Sequence, residues 1–421
     1  MAAPINRRTF LGQSSAVALT AAAIPVVAAD EAPESESKTD DKSDRSVILI
    51  WLNGGPATID MWDPKPGSPT GGPFKPIPTT GAGDICEQLP KLAKQMGRLS
   101  IVRSMNTREA DHGRARYYLH TGFMPTPGVD HPSYGAIIAR ELSETRKASP
   151  LPPFVAIGKG TVGPGLLGAR WAPMLIDADH PLANLTSTAS NDRNKNRLDL
   201  LKTLENSYAG QTRGFLAKEH RALIENTTKL VSSDAKKTFD IEQEPTKTRQ
   251  RFSDTTFGKG CLLARRLVEA GVPFVEVGFD GWDTHADNFT TLKDKLLPDF
   301  DQGISALIED LVERDLYDRT VVLCMGEFGR TPKINSRDGR DHWAKAWSLV
   351  IGGGGIPGGM VVGQTDDEGR EVVGDAVSSE QVMATVFQAV GIPLTKHYVD
   401  RHGRGIPLAN GAEPIKELVA S

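Results

Sequence analysis

Three loops of this 421-residue chain carry the carboxylates and imidazoles that a metal ion binds. One holds Asp283 and His285, the next holds Glu327, and the last holds Asp341 and His342. Carboxylates and imidazoles without thiolates are ligands for a divalent ion such as Zn, Mn, Mg or Ca. We therefore predict a divalent metal site built from these five residues, with Glu327 and Asp341 either binding the ion or orienting the imidazoles.

Each of these motifs also has a structural interpretation. Asp283 and His285 are compatible with a simple turn, and Asp341 with a helix N-cap. Glu327 is three residues before Arg330, a spacing that also fits a structural ion pair. In the metal-site interpretation, the planar guanidinium of Arg330 binds the anionic group of a substrate.

Two further segments contribute candidate residues. His112 is a candidate base or ligand, or it packs at a helix start. Ser104 or Thr107 is a candidate nucleophile activated by the metal. Asp60 is a further candidate ligand, since it follows the first apolar run of the chain. Asp60 and Asp63 together leave open a polysaccharide-modifying enzyme that uses two carboxylates and no metal.

The elements that would position these residues are visible as alternating apolar and amphipathic segments. Short apolar runs typical of strands buried on both faces cover 47–52, 99–102, 154–157, 274–277, 320–324 and 348–351. Helix-like stretches cover 133–142, 256–270, 300–313 and 378–390. This alternation predicts an α/β fold, a doubly wound, mostly parallel sheet with helices on both faces. Ligands bind at the carboxyl ends of such strands, and the acidic loops follow strands.

Two segments interrupt this alternation. Residues 183–250 are polar, with leucines at helical spacing, and predict a helical insertion. The four glycines at 352–355 lack the Lys and Ser or Thr that follow in a phosphate-binding loop. Met360, Val361 and Val362 come after them in place of the helix that such a loop would enter. We expect a turn or hairpin there.

Composition excludes several classes of protein. Lys and Arg number 49 against 53 Asp and Glu, which gives no basic excess for nucleic acid as the main partner. The three cysteines form no C-x-x-C pair, so neither a disulfide framework nor a thiolate zinc site is expected.

The first 29 residues have the organisation of an export signal. Arg7 and Arg8 precede a short uncharged stretch that ends in small residues, a pattern of the twin-arginine type. This stretch is too short for a stable membrane span of about 20 apolar residues. We predict a signal peptide over 1–29, a disordered acidic linker over 30–45 and an α/β domain over 46–421, exported by the twin-arginine machinery to the periplasm or beyond. A buried N-terminal helix is the alternative.

The motifs together resemble a known secreted family, domain of unknown function 1501. They are listed here as they stand in the sequence: the paired arginines, Leu52 to Pro56 (LNGGP), Asp60 to Pro66 (DMWDPKP), Asp111-His112, Gly281 to His285 (GWDTH), Glu327 to Pro332 (EFGRTP) and Gly339 to Trp343 (GRDHW). The resemblance implies a relation to the alkaline phosphatase and sulfatase superfamily. It therefore implies an alkaline phosphatase-like core, a metal site at the strand ends, and hydrolysis or transfer of phosphate or sulfate esters.

The chain departs from that superfamily at several positions. Asn53 stands where the first strand usually ends in a metal-binding Asp, and Glu327-Phe328 replaces an Asp-His pair. No C-x-P-x-R motif for a formylglycine nucleophile is present. Two hypotheses follow: an exported metal-dependent hydrolase of phosphate or sulfate esters, on small molecules or polysaccharides, and a non-catalytic binding protein with a degenerate site.

Overall fold

The structure is a computed structural model that describes residues 44–181, 183, 191–209, 214–400 and 402–419. The predicted signal peptide and residues 30–43 of the predicted linker lie outside the described residues. The strands are β1 (Ser46–Leu52), β2 (Pro76–Ile77), β3 (Ile85–Cys86), β4 (Leu99–Met105), β5 (Phe154–Ile157), β6 (Met174–Ile176), β7 (Phe274–Phe279), β8 (Thr320–Met325), β9 (Gly329–Arg330), β10 (His342–Trp343), β11 (Trp347–Gly352), β12 (Val361–Val362), β13 (Gln364–Thr365), β14 (Val372–Val373), β15 (His397–Val399) and β16 (Gly405–Pro407). The α-helices are α1 (Pro90–Ala93), α2 (His112–Thr121), α3 (Tyr134–Thr145), α4 (Asn191–Ala209), α5 (Gly214–Ser232), α6 (Thr246–Phe252), α7 (Thr256–Glu269), α8 (Asn288–Thr291), α9 (Leu297–Glu313) and α10 (Ser379–Ala389).

One eight-stranded sheet organises the described residues, in the order β12-β4-β11-β8-β1-β7-β5-β6. β1 pairs in parallel with both β7 and β8, and β7 with β5. Within this sheet β11 is reversed, since it runs antiparallel to β4 and to β8. The mostly parallel sheet that the apolar runs predict is therefore confirmed.

The central strand explains why the fold has two cores. All seven residues of β1 are buried. Ile48, Ile50 and Leu52 enter the core that contains α7 and α9, whereas Leu49 and Trp51 enter the core that contains α3 and α10. Because successive side chains of a strand point to opposite faces, a continuous apolar run requires helices on both sides of the sheet. That part of the prediction is also confirmed.

The remaining segments are helical or tightly turned. α4 and α5 lie within the region predicted as an insertion, and α6 begins in it and ends two residues beyond it. The division into domains stays a prediction. Gly353, Gly354 and Gly355 all have positive φ, and the Ile356 amide donates to the Gly353 carbonyl, which makes the tight turn expected between β11 and β12. No helix of the described residues is long and apolar enough to span a membrane.

Candidate metal centre

Three imidazoles converge on the carboxylate of Asp283. His285 Nε2 lies 3.2 Å and His342 Nε2 lies 3.5 Å from Oδ1, while His112 Nε2 lies 3.5 Å from Oδ2. The Nε2 atoms of His285 and His342 are 3.0 Å apart. We call these four residues the Asp283 cluster.

The fold brings the Asp283 cluster together from three distant parts of the chain. Asp283 and His285 follow β7, and His342 begins β10, which pairs with β9 just after β8. His112 is the first residue of α2, where the Asp111 carboxylate caps the helix by accepting from the Arg114 amide at 3.0 Å. β4, which precedes α2, has the same direction as β7 and β8, so all four side chains lie at one edge of the sheet.

The second nitrogen of each imidazole in the cluster is held by an oxygen acceptor. The three Nδ1 contacts are His112 with Glu327 Oε1 at 2.8 Å, His285 with Asp341 Oδ1 at 2.7 Å and His342 with the Ala110 carbonyl at 2.8 Å. In the tautomer that donates from Nδ1 to these acceptors, each imidazole has its lone pair on Nε2, the nitrogen that faces Asp283. That tautomer is the one that a metal ion bound beside Asp283 would require.

This donor set fits a divalent metal ion. The ligand atoms of His112, Asp283 and His342 all lie within 4.8 Å of one another. His285 is not part of this group of three, but its Nε2 lies 3.0 Å from His342 Nε2 and 3.2 Å from Asp283 Oδ1. Mg²⁺ and Ca²⁺ prefer oxygen ligands, whereas imidazoles with one carboxylate suit Zn²⁺ or a similar transition metal. The donor set therefore favours a transition-metal ion such as Zn²⁺ over Mg²⁺ and Ca²⁺.

Glu327 orients His112 from a fully buried position. Its Oε1 atom accepts from His112 and also from the Gly54 amide at 3.0 Å. Gly54 has φ of 114°, and a Cβ there would lie 2.4 Å from the Asp283 amide nitrogen, so only glycine fits between β1 and the Asp283 loop. Glu327 and Asp341 thus orient the imidazoles of His112 and His285 by hydrogen bonds. This is the second of the two roles that the sequence leaves open for them.

Burial and neighbouring charges shift the pKa values of side chains in the Asp283 cluster. The hydrogen bond that His112 donates to the Glu327 carboxylate raises the pKa of His112. Burial lowers the pKa of His342. Burial alone would raise the pKa of Asp283, but the hydrogen bond and positive charge of Arg330 outweigh it and lower that pKa. Asp283 is therefore ionised at neutral pH, as a metal ligand must be.

We predict that Glu327→Gln moves the pH dependence of metal binding. Below the raised pKa of His112, its imidazole carries a second proton and no free lone pair, so the wild type loses metal as the pH falls. Without the Glu327 charge that pKa falls, and the midpoint of the loss moves to lower pH. At pH 8 the variant binds roughly 10- to 100-fold more weakly, because the imidazole is less firmly held.

The measurement is calorimetric titration of Zn²⁺ or Mn²⁺ between pH 5.5 and 8, with Glu313→Gln, on an exposed carboxylate of α9, as the matched control. A midpoint identical to that of the wild type would show that Glu327 does not control His112.

Asp60, predicted as a ligand, is not part of the cluster. Its two carboxylate oxygens accept from Arg340, Nε at 2.8 Å and Nη2 at 2.7 Å, and Oδ2 also accepts from Asn288 Nδ2 at 2.9 Å. Both charged side chains are buried. The carboxylate is occupied by protein donors, so the assignment of Asp60 to the metal is corrected. The ion pair between Asp60 and Arg340 instead connects the loop after β1 to the segment before His342.

The two-carboxylate alternative fails for the same reason. Asp63 lies 3.1 Å from Lys65 Nζ and is buried, with Arg103 Nε at 3.6 Å. Neither Asp60 nor Asp63 faces an open site where a sugar would bind.

Arg330 and Thr107 also have other roles than those predicted. The Arg330 side chain is fully buried; Nε donates to the Gly55 carbonyl at 2.7 Å, and the remaining donors reach the Gly54 and Arg340 carbonyls and Asp283. Thr107 is buried, with Oγ1 accepting from Trp347 Nε1 at 3.2 Å. Arg330 therefore holds the Asp283 carboxylate in position, and its donors are not free to bind the anionic group of a substrate. The buried Thr107 hydroxyl is not accessible to act as a nucleophile.

The sequence did not predict two backbone groups that contact the cluster or Glu327. These are the Ala110 carbonyl, which contacts His342, and the Gly54 amide, which donates to Glu327. Side-chain type does not indicate such backbone contacts. His112, expected as a base or ligand, joins the ligand set, and its Asp111 cap was the available signal.

The sequence profile described as "Protein of unknown function (DUF1501)" matches residues 44–419. No curated protein matches this chain. Among solved structures, a sulfatase from Pseudoalteromonas sp. is similar with a TM-score of 0.40 and 12% identity, over 83% of this chain and 68% of that one. A phosphonate monoester hydrolase from Silicibacter pomeroyi gives a TM-score of 0.38 and 14% identity, over 83% and 74%. A protein in the alkaline phosphatase superfamily from Vibrio parahaemolyticus gives 0.38 and 10%, over 89% and 70%. At these TM-scores the overlaps assign no activity to this chain.

Proposed function

We propose that this chain, which belongs to the DUF1501 family, is an exported metal-dependent hydrolase of phosphate or sulfate esters. The observation that carries the proposal is the convergence of three oriented imidazoles on an ionised carboxylate at the carboxyl edge of a parallel sheet. The resemblance of the strand-end motifs to the alkaline phosphatase and sulfatase superfamily supports the ester class. The substrate is a small-molecule or polysaccharide ester.

In this proposal His112, His285, His342 and Asp283 hold the ion. A divalent ion supplies Lewis-acid polarisation of the ester oxygen when it is bound. Glu327 and Asp341 keep the Nδ1 protons in place, so each imidazole presents Nε2. Arg330 keeps Asp283 ionised, and its saturated hydrogen bonds hold that carboxylate in position.

A second candidate function, a non-catalytic binding protein, is favoured by one observation. Both residues predicted as nucleophile, Ser104 and Thr107, are buried, and the Thr107 hydroxyl accepts a hydrogen bond from Trp347. A protein of this kind would keep the metal cluster for recognition and bind phosphate or sulfate groups without cleaving them.

A substrate screen separates the two functions. The metal-loaded protein is incubated with p-nitrophenyl phosphate, bis-p-nitrophenyl phosphate and p-nitrophenyl sulfate. The hydrolase proposal expects turnover of at least one ester, lost in Asp283→Asn and retained in Asp280→Asn, a matched change at an exposed carboxylate of the same loop. Turnover that survives Asp283→Asn would reject the assigned site. Stoichiometric metal with no turnover would favour the binding protein.

We also propose export through the twin-arginine machinery to the periplasm or beyond, on the strength of the first 29 residues. Replacing both Arg7 and Arg8 with lysine is expected to leave the protein in the cytoplasm of a bacterial host. Unchanged export of that double variant would contradict the proposal.

A further inference from the structure

One face of α2 carries three polar side chains at four-residue spacing, His112, Arg116 and His120. Residues four apart lie one above the other on a helix. His112 belongs to the Asp283 cluster, and His120 is buried with its Nε2 3.2 Å from Glu276 Oε1 in β7. Both ends of this stripe therefore face the sheet, and Arg116 lies between them.

The direction of helical side chains brings Arg116 towards the cluster. The Cα–Cβ bond of a helical residue tilts towards the N-terminus, so a long side chain covers the turn before its own Cα. The turn before Arg116 begins at His112, the first residue of α2. A long side chain at position 116 is therefore expected to reach towards the edge of the sheet where Asp283 lies.

Arg116 differs from the other arginines around the site in having no protein partner. Its guanidinium makes no ion pair and no hydrogen bond to any residue that the structure describes, and its Nε is buried. By contrast, Arg330 pairs with Asp283, Arg340 with Asp60, and Arg114 with Glu109. A buried donor without an acceptor is unfavourable, more so on a charged group, so its presence at this position favours a role in binding an anion.

We propose that Arg116 binds the oxyanion of the substrate, a phosphate or sulfate group, beside the Asp283 cluster. The assignment rests on the proposed function, because it takes the ester group to be held at that cluster. A guanidinium offers a planar fork of N–H donors that matches two oxygens of a tetrahedral anion. Arg116 would thus bind the anion, the role predicted for Arg330, whose N–H donors are already occupied by protein acceptors.

The test compares Arg116→Gln with Arg114→Gln, a matched change two residues away at a solvent-exposed, paired arginine of the same helix. Inorganic phosphate and inorganic sulfate are titrated calorimetrically into the zinc-loaded protein, and zinc content and melting temperature are measured in parallel. We expect Arg116→Gln to weaken anion binding by roughly 10- to 100-fold, the effect of losing charge-assisted hydrogen bonds, with zinc content unchanged. Arg114→Gln should bind as the wild type does, and Arg116→Lys should recover part of the affinity.

Three results would overturn the assignment. The first is an affinity of Arg116→Gln for phosphate and sulfate equal to that of the wild type. The second is loss of zinc from Arg116→Gln together with loss of anion binding. The third is a zinc-loaded wild type that binds neither phosphate nor sulfate. Anion binding that depends on Arg116 in a protein without turnover would support the assignment while the hydrolase proposal fails, so the two failures are distinguishable.

Discussion

Replacing His342 with alanine is expected to reduce the affinity for Zn²⁺ by at least about 100-fold, the upper end of the range for residues that only support a ligand. The reason is that His342 supplies a nitrogen donor itself. Its Nε2 lies 3.5 Å from Asp283 Oδ1 and 3.0 Å from His285 Nε2, and the Ala110 carbonyl fixes its orientation. Metal content after dialysis and calorimetric titration of Zn²⁺ provide the measurement.

The matched control for His342→Ala is His397→Ala, on an exposed imidazole of β15. Melting curves recorded with a chelator show whether each variant folds without metal. Equal zinc affinity in His342→Ala and the wild type would contradict the assignment of His342 to the metal.

Replacing Asp60 with asparagine is expected to lower the free energy of unfolding by about 3–5 kcal/mol, the cost of removing one partner of a buried ion pair. Arg340 is fully buried and would keep its charge without a carboxylate to balance it. Denaturant unfolding of the metal-free protein gives the measurement, since metal binding then makes no contribution. Asp318→Asn, on an exposed carboxylate, serves as the matched control.

A double variant tests the physical cause of the Asp60 effect. Asp60→Leu combined with Arg340→Met removes both charges, and it should be more stable than Asp60→Asn, because no uncompensated charge remains. A single variant as stable as the wild type would show that the Asp60 and Arg340 pair does not stabilise the fold.

The core of the fold could be predicted because the apolar pattern that indicates it lies in consecutive residues. β1 is apolar at every position from 47 to 52, and such a run requires cover on both faces. The ends of β7 and β8 were visible for the same reason, and they placed His285 and the Glu327 segment at one edge of the sheet.

The partners of the charged side chains were not predictable, because they are distant in sequence. Arg340 lies 280 positions from Asp60, and Arg330 lies 275 positions from the Gly55 carbonyl that it binds. No local pattern reports such a contact, so Asp60 resembled a ligand and Arg330 an anion-binding residue. The four-residue spacing of His112 and Arg116 was present in the sequence, but its meaning depends on which face of α2 meets the sheet.

Anomalous diffraction at the zinc absorption edge, from crystals of the zinc-loaded protein, tests the central claim most directly. We predict a peak within about 2.0–2.2 Å of Nε2 of His112, His285 and His342 and of an Asp283 carboxylate oxygen, the usual zinc–ligand distances. A peak at other residues, or no peak in a protein saturated with zinc, would contradict the assignment of the Asp283 cluster as a metal centre.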